Sequence, residues 1–173
     1  MHTIDTLIAK YLIFICGLVV VYFFFKLPTM SLKKRFVIEA IIGGILALIL
    51  AKIGSKLFYN PRPFVVGHFT TYFTHANDNG FPSDHTLLSS FMGYLVLKYN
   101  KKWGYALLGA AAVIGLSRVI AGVHHLVDII GSFVIAGIAM ALVYFVGRKF
   151  FPETERSGKD DPNRPRRRVR ANV

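Results

Sequence analysis

The chain has 173 residues, is 54% hydrophobic with mean hydropathy +0.49, and carries 21 Lys and Arg against 9 Asp and Glu, a formal charge of +12. So apolar a composition excludes an ordinary soluble domain of this length and marks a membrane protein. The single cysteine, Cys16, excludes an intramolecular disulfide.

In chain order, five stretches are predicted to cross as helices, a span taking roughly 20 residues. They run from about Thr6 to Phe25, Phe36 to Phe58, His85 to Tyr99, Trp103 to Val123 and Leu126 to Val146. The first lacks a small-residue cleavage pattern after it and is long for a signal-peptide core, so it reads as a mature helix. The third is short unless its polar N-terminal turn is counted. The expected fold is an all-α membrane bundle of five, or six, transmembrane helices.

Sixteen of the 21 basic residues follow spans one, three and five, which assigns those ends to the cytoplasm, with the N-terminus outside and the C-terminus inside. Lys10, Lys52, Lys56, Arg62 and Arg118 fall near the opposite face. Lys10 can snorkel from span one, but the other four defy the positive-inside bias and suggest an anionic ligand. Residues 1–150 form the membrane domain. Residues 151–173, ending in Arg164-Pro165-Arg166-Arg167-Arg168-Val169-Arg170, read as a disordered, basic cytoplasmic tail. Following a span directly, that tail suits anionic lipid rather than nucleic acid.

Between spans two and three lies the long connection Tyr59 to Pro82, rich in turn signals: Asn60-Pro61-Arg62-Pro63, Asn77-Asp78-Asn79-Gly80 and Pro82. Whether it holds a short interfacial helix is open. Topology brings three polar segments to one extracytoplasmic surface: Lys56 to Pro63, Pro82-Ser83-Asp84-His85, and Ser117-Arg118 through His124 to Asp128. Ionisable residues beside a bilayer core usually mark function.

These segments resemble, in order, spacing and sidedness, the three signature motifs of the type-2 phosphatidic acid phosphatase superfamily of membrane lipid phosphatases. The wording Phe81-Pro82-Ser83-Asp84-His85-Thr86 is similar to that of the bacitracin-resistance type of undecaprenyl-diphosphate phosphatase. Two departures stand out. Asp84 occupies a position where many members have Gly, and five residues separate Lys56 from Arg62 where six are usual, so that the usual lysine register falls on Ser55. Lys52, one turn before Lys56, is a second candidate.

The resemblance implies hydrolysis of a lipid phosphate through a phosphohistidine, with no metal or other cofactor. His124 is expected as nucleophile. Asp128, four residues on, would share its face on a helix, fix the imidazole tautomer and stabilise its charged form. His125 is set about 100° away and reads as an interfacial or loop histidine. Arg62 and Arg118 offer planar forks of donors to phosphate oxygens, assisted by Lys56 and Ser117. Ser83 either donates to phosphate or caps a helix, and the free N–H groups of that helix start suit an anion. His85 is expected as general acid, with Asp84 orienting it or the loop.

Undecaprenyl diphosphate is the first-choice substrate, in a bacterial cell membrane with the site outside. Phosphatidylglycerol phosphate or phosphatidic acid is the same-class alternative. A non-catalytic transporter or lipid-binding protein is the alternative of another class. Sequence does not set the oligomeric state.

Overall fold

The structure is a computed structural model and describes residues 2–150 apart from Thr74. The expectation for the basic tail lies outside these residues. Six helices are described: α1 (His2–Lys26), α2 (Met30–Leu57), α3 (Pro63–Gly67), α4 (Asp84–Leu97), α5 (Lys101–Ile120) and α6 (Leu126–Phe150). Five are long. The sixth, α3, is a five-residue turn of helix in the long connection, opened by Pro63 at its start.

Local chemistry sets the ends. Thr29 caps α2, its hydroxyl accepting from Leu32 N at 3.2 Å, and so the helix begins six residues before the apolar run at Phe36. Asn100 caps α5 in the same way on Trp103 N at 3.1 Å. Gly122, with φ +75, ends the turn after α5, earlier than the hydropathy alone predicts.

The five long helices are not equivalent. Four of them, α1, α2, α5 and α6, are long and apolar enough to cross a membrane, with mean hydropathy from 1.5 to 2.5 over their best windows. These four form a closed ring in the order α1, α5, α6, α2, and α4 packs against all of them. The 14-residue α4 is therefore the axis of the bundle, most of it covered by protein, with Leu88 left exposed. That placement explains how it carries buried Thr86, Ser89 and Ser90. Ser89 and Ser90 satisfy their hydroxyls on carbonyls of their own helix, at 2.7 Å to His85 O and 3.1 Å to Leu87 O. Gly104 lets α5 approach closely, since a Cβ there would sit 2.3 Å from Leu97 Cα.

At one end of the bundle a buried network joins α2 to the end of α4. The Glu39 carboxylate accepts from Arg35 Nε at 2.8 Å, from the Tyr99 hydroxyl at 2.8 Å and from Lys98 Nζ. The long connection, the α5–α6 turn and the starts of α4 and α6 gather at the other end.

Candidate active site

The long connection is fastened to α2 by Asn79. Its Nδ2 donates to Ser55 O (2.8 Å) and Phe58 O (3.1 Å), carbonyls that the end of a helix leaves open, and to the Ser55 hydroxyl (3.0 Å). Its Oδ1 accepts from Asn60 N (2.9 Å) and Phe81 N (3.0 Å), and Gly80 N donates to Asn60 O at 2.8 Å. This clamp brings Asn60-Pro61-Arg62 and the cis Phe81–Pro82 peptide to the start of α6.

There the loop meets His124 and Asp128. His124 does not lie on a helix, as the four-residue spacing suggested, but just ahead of α6, while Asp128 is in its first turn. Asp128 is fully buried and each oxygen is engaged. Oδ2 accepts from His125 N at 2.8 Å and lies 3.3 Å from His124 Nδ1, and Oδ1 accepts from Asn60 Nδ2 at 2.7 Å. On the other side of the imidazole, Arg62 Nη1 is 3.2 Å from His124 Nε2.

A guanidinium has no acceptor, so His124 Nε2 presents its lone pair and Nδ1 carries the proton, which it donates to Asp128. That tautomer is assigned from the network. It is the one a nucleophile needs. Burial pushes the His124 pKa below its ordinary value and the nearby positive charges of Arg118 and Arg62 add to this, against the opposing pull of Asp128. The resting imidazole is neutral, so Asp128 orients the ring without charging it.

Arg62 is 5% exposed and held from three directions. Its Nε donates to Asp78 Oδ1 at 2.7 Å, and Nη1 reaches Val123 O at 2.9 Å as well as His124. Arg118, 2% exposed in the last turn of α5, donates through Nη1 to Ala9 O on α1 and through Nη2 to His75 Nε2, both at 3.1 Å. His85, half-buried, is the second residue of α4, directly after Ser83 and Asp84. Ser83 heads α4 without a side-chain cap. Its Oγ accepts from Thr86 Oγ1 at 3.2 Å, and its carbonyl accepts from Ser132 Oγ at 3.0 Å, which ties α4 to α6.

Among the described residues, no hydrogen bond joins two of the expected phosphate ligands, Ser117 and Lys56, to this cluster. The Ser117 hydroxyl donates to Ile114 O at 2.7 Å and is committed to its own helix. Lys56 is exposed and does not line the open pocket of about 520 Å³ beside Arg62. That pocket takes Lys52, Ser55, Asp78 and Asp84 instead. At about 100° per residue, Leu48, Ala51, Lys52 and Ser55 share one arc of α2, and Lys56 falls outside it, roughly 40° beyond Lys52. Ser55, the position of the usual lysine register, thus faces the pocket.

Sequence reasoning missed three contributors. Asn60 and Asp78 read as turn residues, and their distance in sequence from Asp128 and Arg62 hid the pairing. His75 carried no local signal. His125 behaves as a loop residue, its Nε2 donating to Pro61 O at 3.1 Å.

Buried arginines beside an oriented histidine, at one end of a ring of membrane-crossing helices, define a phosphate-handling multi-pass membrane protein. Sequence comparison matches residues 36–152 to the PAP2 superfamily, and the chain belongs to it. Among curated relatives, it is 32% identical over 143 residues to the bacitracin transport permease protein BcrC of Bacillus licheniformis, covering 82% of this chain and 70% of that one. It is 34% identical over 113 residues to the undecaprenyl-diphosphatase BcrC of Bacillus subtilis, covering 65% and 58%. Among solved structures, Aquifex aeolicus LpxE superposes with a TM-score of 0.66 at 23% identity, covering 83% of this chain and 85% of the other, which shows the shared fold.

Proposed function

We propose that the chain hydrolyses undecaprenyl diphosphate to undecaprenyl phosphate and inorganic phosphate, recycling a lipid carrier for wall polymers. The observation that carries this reading is the setting of His124: Nδ1 lies 3.3 Å from Asp128 Oδ2 and Nε2 lies 3.2 Å from Nη1 of the buried Arg62, a contact that an incoming phosphate would take over. His124 Nε2 attacks the terminal phosphorus, and the bond from that phosphorus to the bridging oxygen breaks. His85 protonates the leaving lipid phosphate. Water then cleaves the phosphohistidine and releases inorganic phosphate, with His85 taking the proton. Arg62, Arg118, Lys52 and the N–H groups opening α4 offset the charge that develops on the phosphoryl oxygens.

The clustering of basic residues at the Glu39 end supports a cytoplasmic location for that end and an extracytoplasmic site, in a bacterial cell membrane with the N-terminus outside. The name of the Bacillus licheniformis relative suggests transport, and a phosphate-holding permease is the competing reading.

Purified protein releasing phosphate from undecaprenyl diphosphate, with His124→Ala abolishing release, supports the enzyme. Substrate bound but not turned over supports the permease. Comparing kcat/KM on undecaprenyl diphosphate, phosphatidylglycerol phosphate and phosphatidic acid ranks the substrates. A lipid phosphate leaves more readily than an alkoxide, so His85→Ala is expected to slow diphosphate hydrolysis less than monoester hydrolysis. Equal losses of kcat on both would remove His85 from the acid role.

A further inference from the structure

The long connection does more at the site than carry Arg62. Beyond α3 it folds back over the α5–α6 turn. Phe69 lies against Gly122, where a Cβ would come within 2.5 Å of the ring, and the Lys10 ammonium of α1 sits 4.6 Å from the centre of the Phe73 ring. The same Phe73 ring lies 5.8 Å from the Arg118 guanidinium. One step further along the loop, His75 meets Arg118 and the nucleophile together. Its Nε2 is 3.1 Å from Arg118 Nη2, and its ring stands edge-on to His124 with centroids 6.0 Å apart.

We propose that His75, which belongs to none of the three motifs, is a positioning residue for the phosphate: it holds the Arg118 guanidinium in the orientation that presents its remaining donors to the phosphoryl group. Arginine has five N–H donors in a fixed plane, so fixing two of them aims the rest. Ala9 O takes a donor on Nη1 and His75 Nε2 takes one on Nη2. Arg118 Nε is buried and has no hydrogen-bond partner among the described residues. Because arginine only donates, His75 Nε2 must hold a lone pair, which requires a neutral ring. Burial lowers the His75 pKa and the adjacent Arg62 and Arg118 lower it further, in keeping with that requirement. Phe69 and Phe73 also touch the bundle, so the His75 contact with Arg118 is not the loop's sole attachment.

This inference rests on the phosphatase reading, and the test separates the two. Full-length protein in detergent is assayed for kcat and KM on undecaprenyl diphosphate and for binding of inorganic phosphate by calorimetry. Wild-type protein without turnover defeats the phosphatase reading whatever His75 does. With an active wild type, His75→Leu is expected to weaken phosphate binding and raise KM about tenfold, the scale of one hydrogen bond to a charged group, while lowering kcat less. His75→Gln restores an acceptor oxygen at similar reach and is expected to recover most of the loss. A leucine variant that loses kcat with KM and phosphate affinity unchanged, or a glutamine variant no better than leucine, overturns the proposal. If the leucine variant does not fold, His75→Asn takes its place: one methylene shorter, it is expected to bind phosphate more weakly than glutamine, and equal affinities overturn the proposal.

Discussion

Asp128→Asn keeps the shape of a buried side chain and removes its charge, and the surrounding hydrogen bonds dictate how the new amide must lie. His125 N donates to the Oδ2 position at 2.8 Å, and a backbone N–H cannot turn away, so the amide oxygen must take that place. The amide NH2 group then faces Asn60, whose own amide turns over to offer its oxygen where Nδ2 now sits 2.7 Å from Oδ1. His124 Nδ1, 3.3 Å from Oδ2, keeps an acceptor, and Nε2 keeps its lone pair. What is lost is the difference between a charge-assisted and a neutral hydrogen bond to an imidazole that gains charge during reaction. That is about 1–2 kcal/mol, a fall in kcat/KM of roughly 5–30-fold. Asp128→Ala instead strands three donors: His124 Nδ1, His125 N and Asn60 Nδ2. It costs about 3 kcal/mol or more in transition-state stabilisation, roughly two-hundredfold, and lowers thermal stability too. Initial rates of phosphate release from undecaprenyl diphosphate in mixed micelles, corrected for the folded fraction, measure both. An asparagine variant as inactive as the alanine variant would refute the claim that His125 N orients the group.

Arg62→Lys replaces a planar fork that reaches Asp78, Val123 O and His124 at once by a single ammonium, and kcat/KM is expected to fall about a hundredfold; a loss under fivefold would contradict the three-way hold. Lys52→Met is expected to raise KM at least several-fold more than Lys56→Met, because Lys52 alone of the pair lines the pocket beside Arg62; the reverse order would return the role to Lys56. The His124 pKa is lowered, so the reactive neutral form persists below the ordinary histidine value, and the acid limb of kcat/KM is expected at a pH under about 6.5. A limb at or above that value would contradict it. For stability the sign is the same. Below pH about 6.5 the unfolded chain binds protons that the folded His124 and His75 resist, so stability falls as pH drops from there toward their folded values, and changes little above it; chemical denaturation at pH 7.5 and 5.5 measures the difference.

The apolar runs announced the helices because long stretches facing lipid must be apolar throughout, and α1, α2, α5 and α6 obey that rule. Hydropathy could not reveal that α4 is the sheathed axis, since its shortness and buried hydroxyls make sense only once four neighbours surround it. The site was legible where chemistry needs a residue type at a fixed spacing, as at Arg118, His124 and Asp128. It was illegible where a loop residue meets a helix residue far away in sequence. Asn60 and Asp128 are 68 positions apart and joined only after Asn79 clamps the connection to α2. Spacing alone left Lys52 and Lys56 both open, and of the two only Lys52 falls on the helical arc facing the pocket.

The shortness of α4 also sets a depth. Fourteen residues of helix cover about 21 Å, some 9 Å less than a typical hydrocarbon core. With its Lys98 end at one headgroup plane, a helix of that length would leave Ser83 and His85 short of the other, and Lys52 stands five residues inside the end of α2. A phosphate group meets the nucleophile either by sinking along the protein or where the leaflet dips to it. Membrane thickness thereby becomes a variable of the reaction, with turnover in vesicles of short-chain lipids set apart from turnover in thick ones by the length of one central helix.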